Sequence, residues 1–168
     1  MPSRVGNLLG DFAKGLDIHQ LPPAVAAGLR NHRAVDQFTD GHPLVGEMKA
    51  CFSPQRRRFA GIALDVLFDH YLLAHWQRFT THPRQQFIAG VYQDLLHGQA
   101  LMPIAMQHTT LRIVEQDWFA SYESLQGVGC ALDRIAGRIR FSNQFAGVED
   151  ELNRHYVQFE TGFLVFFP

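Results

Sequence analysis

Acidic and imidazole side chains recur at helical spacing inside stretches that are otherwise apolar, and no other feature constrains the fold of this chain as strongly. Asp11, the run from His32 through Asp36 to Asp40, and the run from Asp65 to Asp69 and His70 are all of this kind. Holding one ionised carboxylate out of water costs several kcal/mol even after relaxation, so several together call for a compensating cation. A divalent ion held among helices supplies that compensation and can also activate water. The pattern therefore points to a helical metal centre with hydrolytic chemistry.

Between short marks of Gly and Pro, apolar residues return at intervals of three and four rather than two. The spacing predicts helices over about 6–14, 23–39, 44–52, 55–79, 84–97, 106–116, 117–135 and 148–166, with no sustained strand alternation. The fourth of these is apolar nearly all round from Ile62 to Trp76, as expected of a helix contacted from every side. The chain thus reads as all-α, a single-domain helical bundle over residues 1–168. At 168 residues it is long enough to bury a sizeable core, and 46% apolar with 18% charged residues is ordinary for a folded domain.

A net charge of -1 gives no global attraction to nucleic acid, so only local arginine clusters have electrostatic meaning. These are Arg56-Arg57-Arg58 and the group Arg134, Arg138 and Arg140. Cys51 and Cys130 make neither a disulfide framework nor a metal-ligand pair and suit a reducing compartment. Neither a leader nor a bilayer-length apolar run is evident, so a cytoplasmic location without membrane contact is expected.

Asp65 and Asp69 fall about 40° apart on one helical strip with Ile62, Leu72 and Trp76. Either a cation relieves their repulsion or Arg56–Arg58, a turn or two earlier, neutralises Asp65. Asp69 next to His70 offers oxygen and nitrogen donors side by side, a set that suits Mn²⁺, Fe²⁺, Mg²⁺ or Zn²⁺. On the second helix Val25, Leu29, His32, Asp36 and Thr39 share a strip that turns polar midway. His32 and Asp36 lie one turn apart, a spacing at which both reach one ion. Asp11 follows Gly10, whose missing side chain lets another group come close; it serves the ion or pairs with Lys14. Asp40-Gly41 is expected as a turn.

Taken as a set, these motifs resemble the acyl carrier protein phosphodiesterases, a divergent branch of the HD-type metal phosphohydrolases. The resemblance rests on Gly6-Asn7-Leu8-Leu9-Gly10-Asp11-Phe12 with Lys14-Gly15, on His32-Arg33-x-x-Asp36-x-x-Thr39-Asp40, and on Leu64-Asp65-x-x-x-Asp69-His70 with Trp76. More diffusely, it extends to the closing Tyr156-x-x-Phe159-Glu160 and Phe166-Phe167-Pro168. Against the family pattern, the chain is expected to lack an apolar opening segment of the Asn-Phe-Leu-Ala-His-Leu type and a polar or basic tail.

The resemblance implies an HD-like helical fold and a Mn²⁺-preferring enzyme, with Mg²⁺ or Fe²⁺ as alternatives. Such an enzyme removes the 4′-phosphopantetheine arm from holo-acyl carrier protein. The metal candidates carried over are Asp11, His32, Asp36, Asp65, Asp69 and His70. His70 is also a candidate proton donor, and Arg33 and Lys14 are candidates for holding phosphate oxygens. Acyl carrier proteins are small and strongly acidic, so a basic surface should dock them, with Arg56, Arg57 and Arg58 first and the later arginines second. Two alternatives stay open: an HD-type phosphohydrolase of nucleotides or other small phosphates, and a non-catalytic helical binding module.

Overall fold

The computed structural model describes residues 2–13 and 17–167, and among them every regular element is helical. In chain order these are α1 (Pro2–Leu9), α2 (Pro23–Gly41), α3 (Pro43–Ala50), α4 (Ala60–Ala74), α5 (Trp76–Phe79), α6 (Arg84–His97), α7 (Ile104–Glu115), α8 (Trp118–Ser121), α9 (Leu125–Ala136) and α10 (Glu149–Phe166). Single 3-10 turns cover Gly10–Phe12, Ile18–Gln20, Arg57–Phe59 and Gln99–Leu101. The all-α expectation holds among the described residues, where no helix is long and apolar enough to cross a membrane.

The chain divides into two compact units, each built from two stretches of sequence. The first comprises Met1–Thr39 and His82–Trp118. Its core is aliphatic: Val5, Leu9, Val25, Leu29, Leu95, Met102 and Met106. Here α1 crosses α2 at a glycine pair. A Cβ on Gly28 would lie 2.0 Å from the Ser3 carbonyl oxygen, so the two backbones touch only because no side chain intervenes. Beside that crossing Asn31 donates to Asn7 Oδ1 at 3.0 Å, and Arg4 pairs with Asp94 of α6 at 2.9 Å. These contacts seat the end of α1, and with it Asp11, against the middle of α2.

The second unit, Asp40–Thr81 with Phe119–Pro168, is packed with rings. Phe52, Phe59, Phe68, Tyr71, Phe145, Phe159, Phe163 and Phe166 are buried along α4, α9 and α10. Helix α4 is not enclosed on every side, as the sequence suggested. It buries Leu64, Leu67, Phe68, His70 and Tyr71, but the strip with Ile62, Asp65 and Asp69 is exposed.

The first helix, expected over about 6–14, runs instead over Pro2–Leu9 and passes into the Gly10–Phe12 turn. Other element boundaries differ for identifiable reasons. The helix expected over 55–79 opens with a 3-10 turn and breaks at His75, which leaves helical geometry while its Nε2 meets Glu160 Oε1 of α10 at 2.8 Å. The helix expected over 117–135 starts one residue late and is interrupted once, between α8 and α9. Asp117 has a φ of 45°, a left-handed value that stops α7, and Ser124 caps a fresh helix by accepting from the Gly127 N–H at 3.1 Å. Asp40-Gly41 makes no turn, because α2 continues to Gly41 and the Asp40 carboxylate takes the Lys49 ammonium at 2.6 Å.

Candidate active site

Three of the sequence candidates meet in the first unit. His32 Nε2 lies 3.0 Å from Asp36 Oδ2, one turn along α2, and 4.0 Å from Asp11 Oδ1 at the end of α1. Gly10 makes room for this, since a Cβ there would stand 2.0 Å from Cδ2 of the His32 ring. The close approach expected beside Asp11 is therefore made by His32 itself. The stripe on α2 is buried at Val25 and Leu29, half-buried at His32 and exposed at Asp36, so the cluster opens to solvent.

Its electrostatics are those of two carboxylates sharing one base. Burial against neighbouring protein raises the Asp11 carboxyl above its ordinary value; His32 opposes that rise and Asp36 adds to it. A positive charge near Asp11 and Asp36 relieves both effects.

Among the described residues no three His, Cys, Asp or Glu side chains are close enough to grip a metal ion as they stand. The donor chemistry nevertheless fits one. Neighbouring ligands about a small divalent ion, each at roughly 2.1 Å, are about 3 Å apart. Asp36 and His32 already have that separation, and Asp11 lacks about 1 Å of it, the difference between its distance from His32 and that of Asp36.

The other candidates are placed differently. Lys14 lies outside the described residues. Arg33 is exposed on α2, immediately after His32. Asp65 and Asp69 belong to the second unit, one turn apart on the exposed strip of α4.

His70, a candidate ligand and proton donor, belongs to the second unit, and both its ring nitrogens are engaged there. Nδ1 is 2.8 Å from the Tyr122 carbonyl oxygen and Nε2 is 2.8 Å from the Tyr156 hydroxyl. A carbonyl only accepts, so Nδ1 carries the hydrogen and Nε2 accepts from Tyr156. Alongside, the buried Tyr71 hydroxyl donates to the Tyr156 carbonyl oxygen at 2.7 Å. Burial, with Tyr156 and Glu160 nearby, keeps that phenol protonated well beyond its ordinary range. His70 thus ties α4 to α10 and to the stretch before α9. Its partner was signalled only by Tyr156 and Glu160, one turn apart on α10, which meet His70 on α4 and His75 just beyond it.

The first arginine run is divided in its contacts. Arg56 faces inward: it pairs with Glu151 Oε1 at 3.1 Å and donates to the carbonyls of Gln144 and Ala146 at 2.8 and 2.7 Å. Arg57 donates to the Ala50 and Phe52 carbonyls, each at 3.1 Å. Arg58 is exposed, its guanidinium 4.7 Å from the centre of the Phe141 ring.

Comparison with known proteins extends over the whole chain. The family described as acyl carrier protein phosphodiesterase matches residues 1–168. Proteins bearing that name are 35% identical over 167 residues in Pectobacterium atrosepticum and 36% identical over 167 in Serratia proteamaculans, each alignment spanning 99% of this chain and 86% of the relative. One from Escherichia coli O157:H7 is 30% identical over 164 residues, spanning 97% of this chain and 85% of the relative. No solved structure matches the chain.

Proposed function

The chain belongs to the acyl carrier protein phosphodiesterase family, and from that premise we propose that it hydrolyses the phosphodiester between 4′-phosphopantetheine and the serine of holo-acyl carrier protein. Water adds to phosphorus, the bond from phosphorus to the serine oxygen breaks, and that oxygen takes up a proton. Apo-carrier protein and free 4′-phosphopantetheine result.

The observation that carries this reading is the convergence of Asp11, His32 and Asp36 on one solvent-open spot. Asp36 Oδ2, His32 Nε2 and Asp11 Oδ1 are the atoms that would hold Mn²⁺, with Mg²⁺ or Fe²⁺ as substitutes. Bound there, the ion would bring the pKa of a water toward neutrality and offset charge on the phosphoryl oxygens. The stem of α2 keeps His32 and Asp36 in register, and the Gly10 gap fixes the plane of the imidazole. Arg33, next along the helix and exposed, is available to pair with a phosphate oxygen. His70 is not assigned the leaving-group proton, since its nitrogens are already engaged.

The test is direct. Holo-acyl carrier protein incubated with the chain and Mn²⁺ should lose the mass of its phosphopantetheine arm by mass spectrometry, and Asp36→Ala should abolish the loss. Turnover of nucleotides with the carrier protein untouched would instead support the broader HD-type reading.

A further inference from the structure

Between the two arginine clusters of the sequence, the second unit forms a small hollow of about 270 Å³ lined by Gln55, Arg58, Phe59, Phe141, Asn143 and Gln144. Its floor is aromatic. Phe59 is buried against Phe145, with ring centres 5.2 Å apart, and Phe141 stacks on Phe59 at 6.2 Å while staying 48% exposed. Arg58 lies over the Phe141 face and, among the described residues, has no carboxylate partner. Arg140 precedes Phe141 directly and Arg138 stands two residues before that; both are exposed, and neither is ion-paired among the described residues. Between positions 133 and 144 the only acid is Asp133, and its carboxylate accepts from the Gly147 N–H at 2.8 Å. The tertiary fold has thus brought Arg58 of one cluster over Phe141, the residue that directly follows Arg140 of the other.

The wall of this hollow is held in place. Asn143 donates to the Phe141 carbonyl at 3.1 Å and accepts from the Phe145 N–H at 3.0 Å. Arg56, anchored on Glu151, grips the carbonyls of Gln144 and Ala146 from beneath. A backbone wall held in this way, with an exposed aromatic ring on it, loses little freedom when a partner binds. Its volume is below the roughly 300–1,000 Å³ of small-molecule sites, so it suits an incoming side chain rather than a whole cofactor.

We propose that this surface, with Arg58, Arg138 and Arg140 around Phe141, docks the acidic face of the acyl carrier protein, an apolar side chain of the partner entering the hollow beside Phe141. The proposal rests on the reading of holo-acyl carrier protein as substrate. Charge complementarity selects the occupant: three unpaired arginines on a chain of net charge -1 match a strongly acidic small protein. Arg56 has a different task, that of a positioning residue for the loop.

The experiment measures binding apart from turnover. Fluorescently labelled holo-acyl carrier protein is titrated with the wild-type chain and with Arg140→Gln, Arg58→Gln and Phe141→Ala, and anisotropy is read at low and high salt. Arg140 is exposed and has no ion-pair or hydrogen-bond partner among the described residues, so Arg140→Gln should fold as the wild type does. Arg112→Gln, on α7 of the first unit, makes the same change in net charge elsewhere. Expected are at least a tenfold weaker Kd for the three variants, a smaller salt dependence for the two arginine variants, and no change for Arg112→Gln. Turnover of Arg140→Gln should show a raised KM with kcat retained. Equal binding by the wild type and Arg140→Gln, equal weakening by Arg112→Gln, or no binding by the wild type would each overturn the docking surface. Failure of the wild type to release phosphopantetheine would overturn the proposed reaction, while the titration would still judge the surface.

Discussion

Arg56 and Glu151 meet at 3.1 Å although 95 residues separate them in the chain. The same carboxylate accepts from the Ser53 hydroxyl at 2.7 Å and the Ser53 N–H at 3.0 Å. Burial alone would raise the Glu151 carboxyl; the two Ser53 bonds and then Arg56 outweigh it and hold Glu151 below its ordinary value. The bonds join the start of α10 to the approach to α4, and they support the loop that carries Phe141.

Because Glu151 is depressed in the fold, its contribution to stability is complete above the unfolded glutamate value of about 4.3. It is lost as the pH falls from there through the lower folded value. Glu151→Gln is expected to cost about 1–3 kcal/mol at neutral pH. The variant's stability should also fall less steeply than the wild type's on acidification below about pH 5. Denaturant unfolding at pH 7 and at pH 3.5 checks both points; parallel profiles for the two proteins would contradict them.

His32→Ala and Asp36→Ala should each lower phosphopantetheine release by roughly a hundredfold or more. Their stability should change little, because His32 is only half-buried and Asp36 is exposed. Added Mn²⁺ should raise the thermal midpoint of the wild type by mass action and leave that of Asp36→Ala unmoved. Calorimetry with and without the metal distinguishes these outcomes.

Gly10→Ala separates the cluster from the fold around it. The new methyl would occupy the place of the His32 ring, which must swing aside and leave its position between Asp11 and Asp36. Turnover and Mn²⁺ stabilisation should both fall sharply while the helical circular-dichroism signal stays intact. Retention of wild-type Mn²⁺ stabilisation would show that the ring's placement is unimportant.

Tyr156→Phe removes the donor to His70 Nε2 and leaves a buried acceptor unpaired, at an expected cost of about 1–3 kcal/mol. His70 then has a structural task, so the folded fraction of the variant should keep its turnover. Loss of activity without loss of stability would return His70 to the chemistry.

Much of the fold was legible because helices are specified locally. Periodicity at three and four, the Pro23 start and the Pro43 start are read within a few residues, and α6 and α10 fall close to where the spacing places them. The interruptions were not, because their causes come from distant partners: His75 is met by Glu160, 85 residues on. The strip with Asp65 and Asp69 looked enclosed because α4 is so apolar, yet only the packing of α9 and α10 decides which of its sides is covered. The His32–Asp36 pair was legible as one turn of one helix, whereas the 4.0 Å approach of Asp11 depends on how α1 crosses α2.

What the sequence by itself determined is the inventory: helical segments, their carboxylates and imidazoles, two arginine clusters, and a pattern that marks the family. Each follows from spacing along the chain, over distances that one or two helical turns set. What only the tertiary structure decided is the division of labour among identical side chains. Arg56 is drawn inside by Glu151 while Arg58 stays outside over Phe141, and His70 is buried and tied down while His32 is half-buried beside two exposed carboxylates. Whether a charged group is neutralised within the fold or left for a ligand depends on which remote atoms packing brings within about 3 Å, and spacing along one helix carries no record of that.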